Sequence, residues 1–116
     1  MNAIELKRRT NEFAHRCIKL AISLPKNVLG NHLGKQLIRS STSVAANYRA
    51  ACLAQSKNAF ASKISIVLEE ADESNFWIEF ILDEKLVPKE RVVKLVSEGD
   101  ELTRIFAASR KTSQHK

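Results

Sequence analysis

At 116 residues and 44% hydrophobic content, the chain is long enough for one domain with a real core. Its three Gly and two Pro are too few for a many-stranded fold with tight turns. No apolar run approaches the ~20 residues that span a bilayer, and the net charge of +6 is spread unevenly. Residues 1–60 hold ten Lys/Arg and two acids, giving +8, whereas residues 61–116 hold nine Lys/Arg and eleven acids, giving −2. Two readings follow. The basic half binds nucleic acid, or it meets the acidic half of a neighbouring subunit. The N-terminus, MNAIELKRRTNEF, lacks the apolar core of a secretory signal, so the expected location is cytoplasmic. Cys17 and Cys52 are widely separated and are expected as free thiols.

Four helical segments follow in chain order. The first spans about residues 3–24, with a core stripe of Leu6, Phe13, Cys17, Leu20 and Leu24 and with Ala14, Ile18 and Ala21 beside it. Pro25 ends it, because the residue before a proline disfavours the helical region. Residues 25–30 read as a loop, and Asn31 as the N-cap of a second helix over about 32–55. This second helix has three stripes. Leu33, Leu37, Ser41, Val44, Tyr48 and Ala51 face a core. Lys35, Arg39, Thr42, Ala46, Arg49 and Leu53 lie opposite, with three cations and no carboxylate. Between them run Gln36, Ser40, Ser43 and Asn47, a polar stripe that needs partners if buried. A helix patterned on every side is packed on more than one side, which points to an assembly.

Ser56 caps a third helix over about 57–85, with a core stripe of Phe60, Ile64, Val67, Ala71, Ser74, Ile78 and Ile81. Glu69, Asp72, Glu73, Phe76 and Phe80 share a second face, where two phenylalanines suggest a protein contact. Trp77 falls on a flank with Ile66 and Glu70 and is expected to pack at an edge. Pro88 suits the first turn of a fourth helix over about 88–108, carrying Val92, Leu95, Val96, Gly99, Leu102 and Phe106. The polar tail 109–116 is expected to fray. Short links between long helices predict an all-α, antiparallel up-down-up-down four-helix bundle in a single domain.

Reaction chemistry is not written in these residues. A di-metal bundle wants Glu-x-x-His on two helices. Glu70 and Glu73 give only Glu-x-x-Glu, and His15, His32 and His115 are remote in sequence from the carboxylate cluster. Ser40, Ser41 and Ser43 have no nearby His or Asp in sequence, and Gly30 and Gly34 lack a phosphate-loop signature. The expectation is a non-enzymatic protein with no metal, cofactor or small-molecule substrate. Glu70 and Lys63 are the candidate partners of the polar stripe, which together with Glu70 reads as a buried network. Lys7, Arg8, Lys19, Lys35, Arg39 and Arg49 are the candidate nucleic-acid contacts. With only Tyr48 as a nearby aromatic, and that on the core stripe, any binding is directed at the backbone.

The segments LPKNVLGNHLGKQLIRSSTSVAANYRAA and SKNAFASKISIVLEEADESNFWIEFI resemble the four-helix-bundle proteins encoded in 23S ribosomal RNA intervening sequences. The most specific parts are Leu24-Pro25-Lys26, Gln36 to Ser40, Ser43 to Arg49, and Glu70-Ala71 with Trp77. The resemblance implies a bundle that assembles as a ring, a homopentamer. It also implies kinship with the basic pentameric accessory proteins of diversity-generating retroelements, which bind nucleic acid and a reverse transcriptase. No enzymatic activity is implied. Ala50 and Glu69 depart from the family pattern, which often has Glu and Lys there.

Two functional expectations result. One is a homo-oligomer whose basic surface binds RNA or an RNA–DNA intermediate. The other is a purely structural oligomer in which Arg39 and Arg49 meet Glu69, Glu73, Phe76 and Phe80 of the next subunit.

Overall fold

Four long helices account for most of the chain in a computed structural model, which describes residues 1–114. They are α1 (Ala3–Ile22), α2 (Val28–Cys52), α3 (Lys57–Asp83) and α4 (Val93–Gln114), with a 3-10 turn at Lys89–Arg91 before α4. No strand occurs among the described residues. The molecule measures 47 × 22 × 20 Å. Each helix packs chiefly on its neighbours in sequence, and α1 meets α4 along a thinner seam.

The helices start where side chains satisfy their first free N–H groups. Asn2 caps α1 by accepting from Glu5 N, Asn27 caps α2 from Gly30 N, and Ser56 caps α3 from Ala59 N. The cap of α2 corrects the sequence reading, which set it at Asn31 and made 25–30 a loop. The helix begins three residues before that cap because the Asn27 side chain is the one that turns back. Gly30 is therefore helical, and it serves close packing: a Cβ there would lie 1.9 Å from the Pro25 carbonyl oxygen.

Helix ends differ as well. α1 stops at Ile22 and α2 at Cys52, short of the expected 24 and 55. α3 stops at Asp83, where Lys85 takes the left-handed conformation (φ 55°). Lys85 N then donates to Leu82 O and Leu86 N to Ile81 O, the paired bonds that close a helix C-terminus. Pro88 opens the 3-10 turn, and α4 starts only at Val93. Its helix also continues well past the expected 108, through the segment expected to fray, while residues 115–116, with His115, lie outside the described residues.

The core follows the expected stripes. Leu6, Phe13, Cys17, Leu20 and Leu24 are buried, as are all six inner residues of α2. Ile64, Val67, Ala71, Ser74, Ile78 and Ile81 of α3 meet Val92, Leu95, Leu102 and Phe106 from the last segment in the same core. Phe60 and Val96 are half-buried at its edge. Both cysteines are free thiols, and burial pushes the Cys17 thiol up to about 12.

Candidate assembly and nucleic-acid surfaces

The α2–α3 seam holds a continuous chain of polar bonds. Asn47 Nδ2 donates to Ser43 Oγ at 2.9 Å, and Ser43 Oγ donates to Glu70 Oε2 at 3.0 Å. Arg39 donates to both Glu70 oxygens, at 3.1 and 3.2 Å, and to Glu73 Oε2. Trp77 Nε1 donates to that same Glu73 oxygen at 3.0 Å. Deeper in the seam, Ser74 Oγ lies 3.0 Å from Ser40 Oγ. From Ser40 with Ser74 to Ser43 with Glu70, residue numbers fall on α3 as they rise on α2.

Charge sets the protonation states here. The bonds from Glu70 and then Glu73 raise the Arg39 pKa and keep that guanidinium charged. The Trp77 N–H, followed by Arg39, holds the Glu73 carboxyl below its usual value. Arg39 remains half exposed, so the pair is screened by water.

The polar chain ends in aromatic rings. Trp77 contacts Phe76 edge-on at 4.9 Å between centroids and His32 of α2 at 5.8 Å. Phe76 contacts Phe80 at 5.4 Å. Phe76 and Phe80 are 48% and 41% exposed, a large apolar display for one short stretch. Exposed Val28 lies one turn before His32 and extends that face onto the start of α2.

The sequence-derived candidates divide clearly. Glu70, Ser40, Ser43 and Asn47 do form a network, whereas Gln36 is half-buried on the flank and Lys63 takes no part in these bonds. Arg39 is engaged by carboxylates of its own chain. Arg8 pairs with Glu12 one turn away at 2.9 Å. Lys7, Lys19, Lys35 and Arg49 are exposed and make none of the ion pairs seen among the described residues. Glu69 is exposed on the α3 face that carries Phe76 and Phe80.

One strong pair escaped the sequence reading. Arg9 on α1 donates through Nε and Nη2 to the two oxygens of Glu98 on α4, at 2.9 and 2.6 Å, and approaches Glu101 at 3.1 Å. Its side chain is 13% exposed. The hint was position: Arg9 sits between Leu6 and Phe13, beside the core stripe rather than opposite it.

No group of three His, Cys, Asp or Glu among the described residues could hold a metal ion. None of the described helices is long and apolar enough to cross a membrane. The arrangement defines a class: an all-helical protein of four helices with a charged outer surface and an exposed aromatic face. The chain matches the family model described as 23S rRNA-intervening sequence protein over residues 2–108, and it belongs to that family. A crystal structure of a protein of unknown function from the S23 ribosomal protein family of Bacteroides thetaiotaomicron VPI-5482 superposes with a TM-score of 0.81. That protein shares 30% sequence identity over 90% of this chain and 97% of its own. No curated protein matches the chain.

Proposed function

We propose that the chain forms a homo-oligomeric ring of up-down-up-down bundles and binds nucleic acid through its basic surface, without catalysis. Five subunits is the number implied by the family resemblance, and the cytoplasm is the expected location. The preferred ligand is structured RNA or an RNA–DNA intermediate. The observation that carries this reading is the imbalance of exposed charge. Lys7, Lys19, Lys35 and Arg49 have no carboxylate partner among the described ion pairs, while Arg8, Arg9 and Arg39 absorb five acids. Repetition of such cations around a ring concentrates positive potential where a phosphate backbone can release its counterions.

The aromatic face supports the oligomer. Phe76 and Phe80 are held beside a tryptophan that Glu73 fixes in place, so the face is ordered before any partner arrives. Light scattering should give about five times the 13.1 kDa mass of one chain. Phe76→Asp and Phe80→Asp should each yield monomers. Binding of a labelled RNA hairpin should weaken steeply as salt rises. A protein that ignores RNA at low salt, or binds it without a salt slope, defeats the nucleic-acid part. The second reading, a structural oligomer alone, cannot use Arg39 as its contact to the next subunit, because Glu70 and Glu73 of the same chain already engage it; Arg49 and the Phe76/Phe80 face are what that reading keeps.

A further inference from the structure

A second basic feature lies on the side of the molecule away from the α2–α3 seam. A groove of about 200 Å³ runs between α1 and the start of α4, lined by Arg16, Lys19, Leu20, Arg91, Val92 and Leu95. Leu20, Val92 and Leu95 are buried and form its floor. The three cations are exposed and form its walls. Arg16 and Lys19 are three apart on α1, the spacing of side-chain neighbours on a helix face. Arg91 comes from the 3-10 turn, so two separate elements aim charge at one place.

The nearest carboxylates along α1 and α4 are bonded to other arginines. Glu12 stands one turn from Arg16, yet its carboxylate is bonded to Arg8 at 2.9 Å. Glu98 stands one turn beyond Leu95 and is held by Arg9 at 2.6 Å. Glu90 neighbours Arg91 in sequence but does not line the groove. The first turn of α4 carries no acid to offset these cations. No aromatic side chain lines the groove, which leaves a base nothing to stack on. Three cations around an apolar floor, with neither a counter-charge nor a stacking ring, suit a compact oxyanion.

We infer that the groove walled by Arg16, Lys19 and Arg91 is a seat for a phosphate group, filled by the backbone of the bound nucleic acid. The inference rests on the nucleic-acid reading for the source of the phosphate and stands on the groove itself for the chemistry. It moves the principal contact to α1 and α4, onto two arginines outside the outer stripe of α2.

The test compares the wild-type chain with two variants, Arg16→Ala/Lys19→Ala/Arg91→Ala and Lys35→Ala/Arg49→Ala. All five residues are exposed, and thermal melts of the variants verify the fold. The probes are a fluorescein-labelled RNA hairpin, titrated between about 50 and 200 mM salt, and inorganic phosphate. The triple variant should lose about tenfold or more in RNA affinity, and its salt slope should fall by about one unit for each cation in contact. The α2 double variant should lose less. A triple variant with wild-type affinity and slope overturns the groove and leaves the nucleic-acid reading standing. If the wild-type chain binds no RNA, that reading fails by itself. Phosphate-induced NMR shifts of the Val92 and Leu95 methyl groups, absent from the triple variant, then assign the seat to free phosphate. Their absence from the wild-type chain as well overturns the seat altogether.

Discussion

Arg9 and Arg39 make the same kind of contact at two very different places. Each reaches two carboxylates on a helix distant in sequence. Arg9 lies in the thin α1–α4 seam with 13% of its side chain exposed, whereas Arg39 lies over the broad α2–α3 seam at 49%. Where apolar packing is extensive, the ion pair is a surface fitting that orients Glu73 and Trp77. Where packing is thin, the arginine ties the two helices together directly. Burial therefore decides what the same guanidinium–carboxylate pairing is worth.

The largest effect is expected where α4 meets both α3 and α1. Gly99 of α4 faces Asn75 of α3 and the Phe13 ring of α1, and a Cβ there would come within 2.1 Å of Asn75 Oδ1. That oxygen is buried, and the Asn75 amide is tied to α4 by its Nδ2 donating to Thr103 Oγ1 at 2.9 Å, so the side chain can move aside only by giving up that bond. Gly99→Ala should destabilise by about 3 kcal/mol, the upper part of the overpacking range. Urea denaturation followed by Trp77 fluorescence measures it.

Removing Arg9 comes next. Arg9→Ala leaves Glu98 partly buried beside α1 with no counter-charge, and should cost about 2 kcal/mol once partial exposure is allowed for. The matching Arg39→Ala should cost less, about 1 kcal/mol by the same measurement, because Arg39 itself is 49% exposed and Glu70 keeps its bond from Ser43. Equal losses from the two would erase the distinction drawn between the seams.

The smallest effect lies in pH. The folded Glu73 carboxyl sits below its ordinary 4.5, so its contribution is fully present above that value and disappears as pH falls through the folded value. Wild type and Glu73→Gln should therefore differ near neutrality and converge in acid, with Trp77 fluorescence reporting the lost contact in both.

Most of the fold was legible in the sequence because it rests on periodicity. The stripes through Leu33, Leu37 and Val44, and through Ile64, Val67 and Ile78, needed only helical spacing. Ser56 was legible because a capping residue directly precedes the apolar pattern of α3. Asn27 was not, since Asn31 offered an equally good cap and Gly30 looked like punctuation. What settles it is the Asn27 side chain accepting from Gly30 N while Gly30 lies close against the Pro25 carbonyl, a backbone geometry that residue types alone do not announce. The polar network was half legible: the α2 stripe named Ser40, Ser43 and Asn47 and pointed to Glu70, but the Ser74 hydroxyl had been read only as core. The place of Arg9 beside the core stripe is legible, but its partner Glu98 is not, because the two lie 89 residues apart in the chain. Arg16 and Arg91 became a pair of interest only once α1 and α4 were side by side.

The preference of each helix for its neighbours in sequence has a consequence for how the chain reaches this structure. Contacts between adjacent helices close short loops, so topology alone favours rapid folding. The docking of α1 on α4 closes the longest loop of all and has the least packing to reward it. Helix pairs built around α2 and α3 can form early, leaving the Arg9–Glu98 clasp to be fastened last. In hydrogen exchange, α4, which packs less on the other helices than α1 does, should be the first of the four helices to open its amide protons.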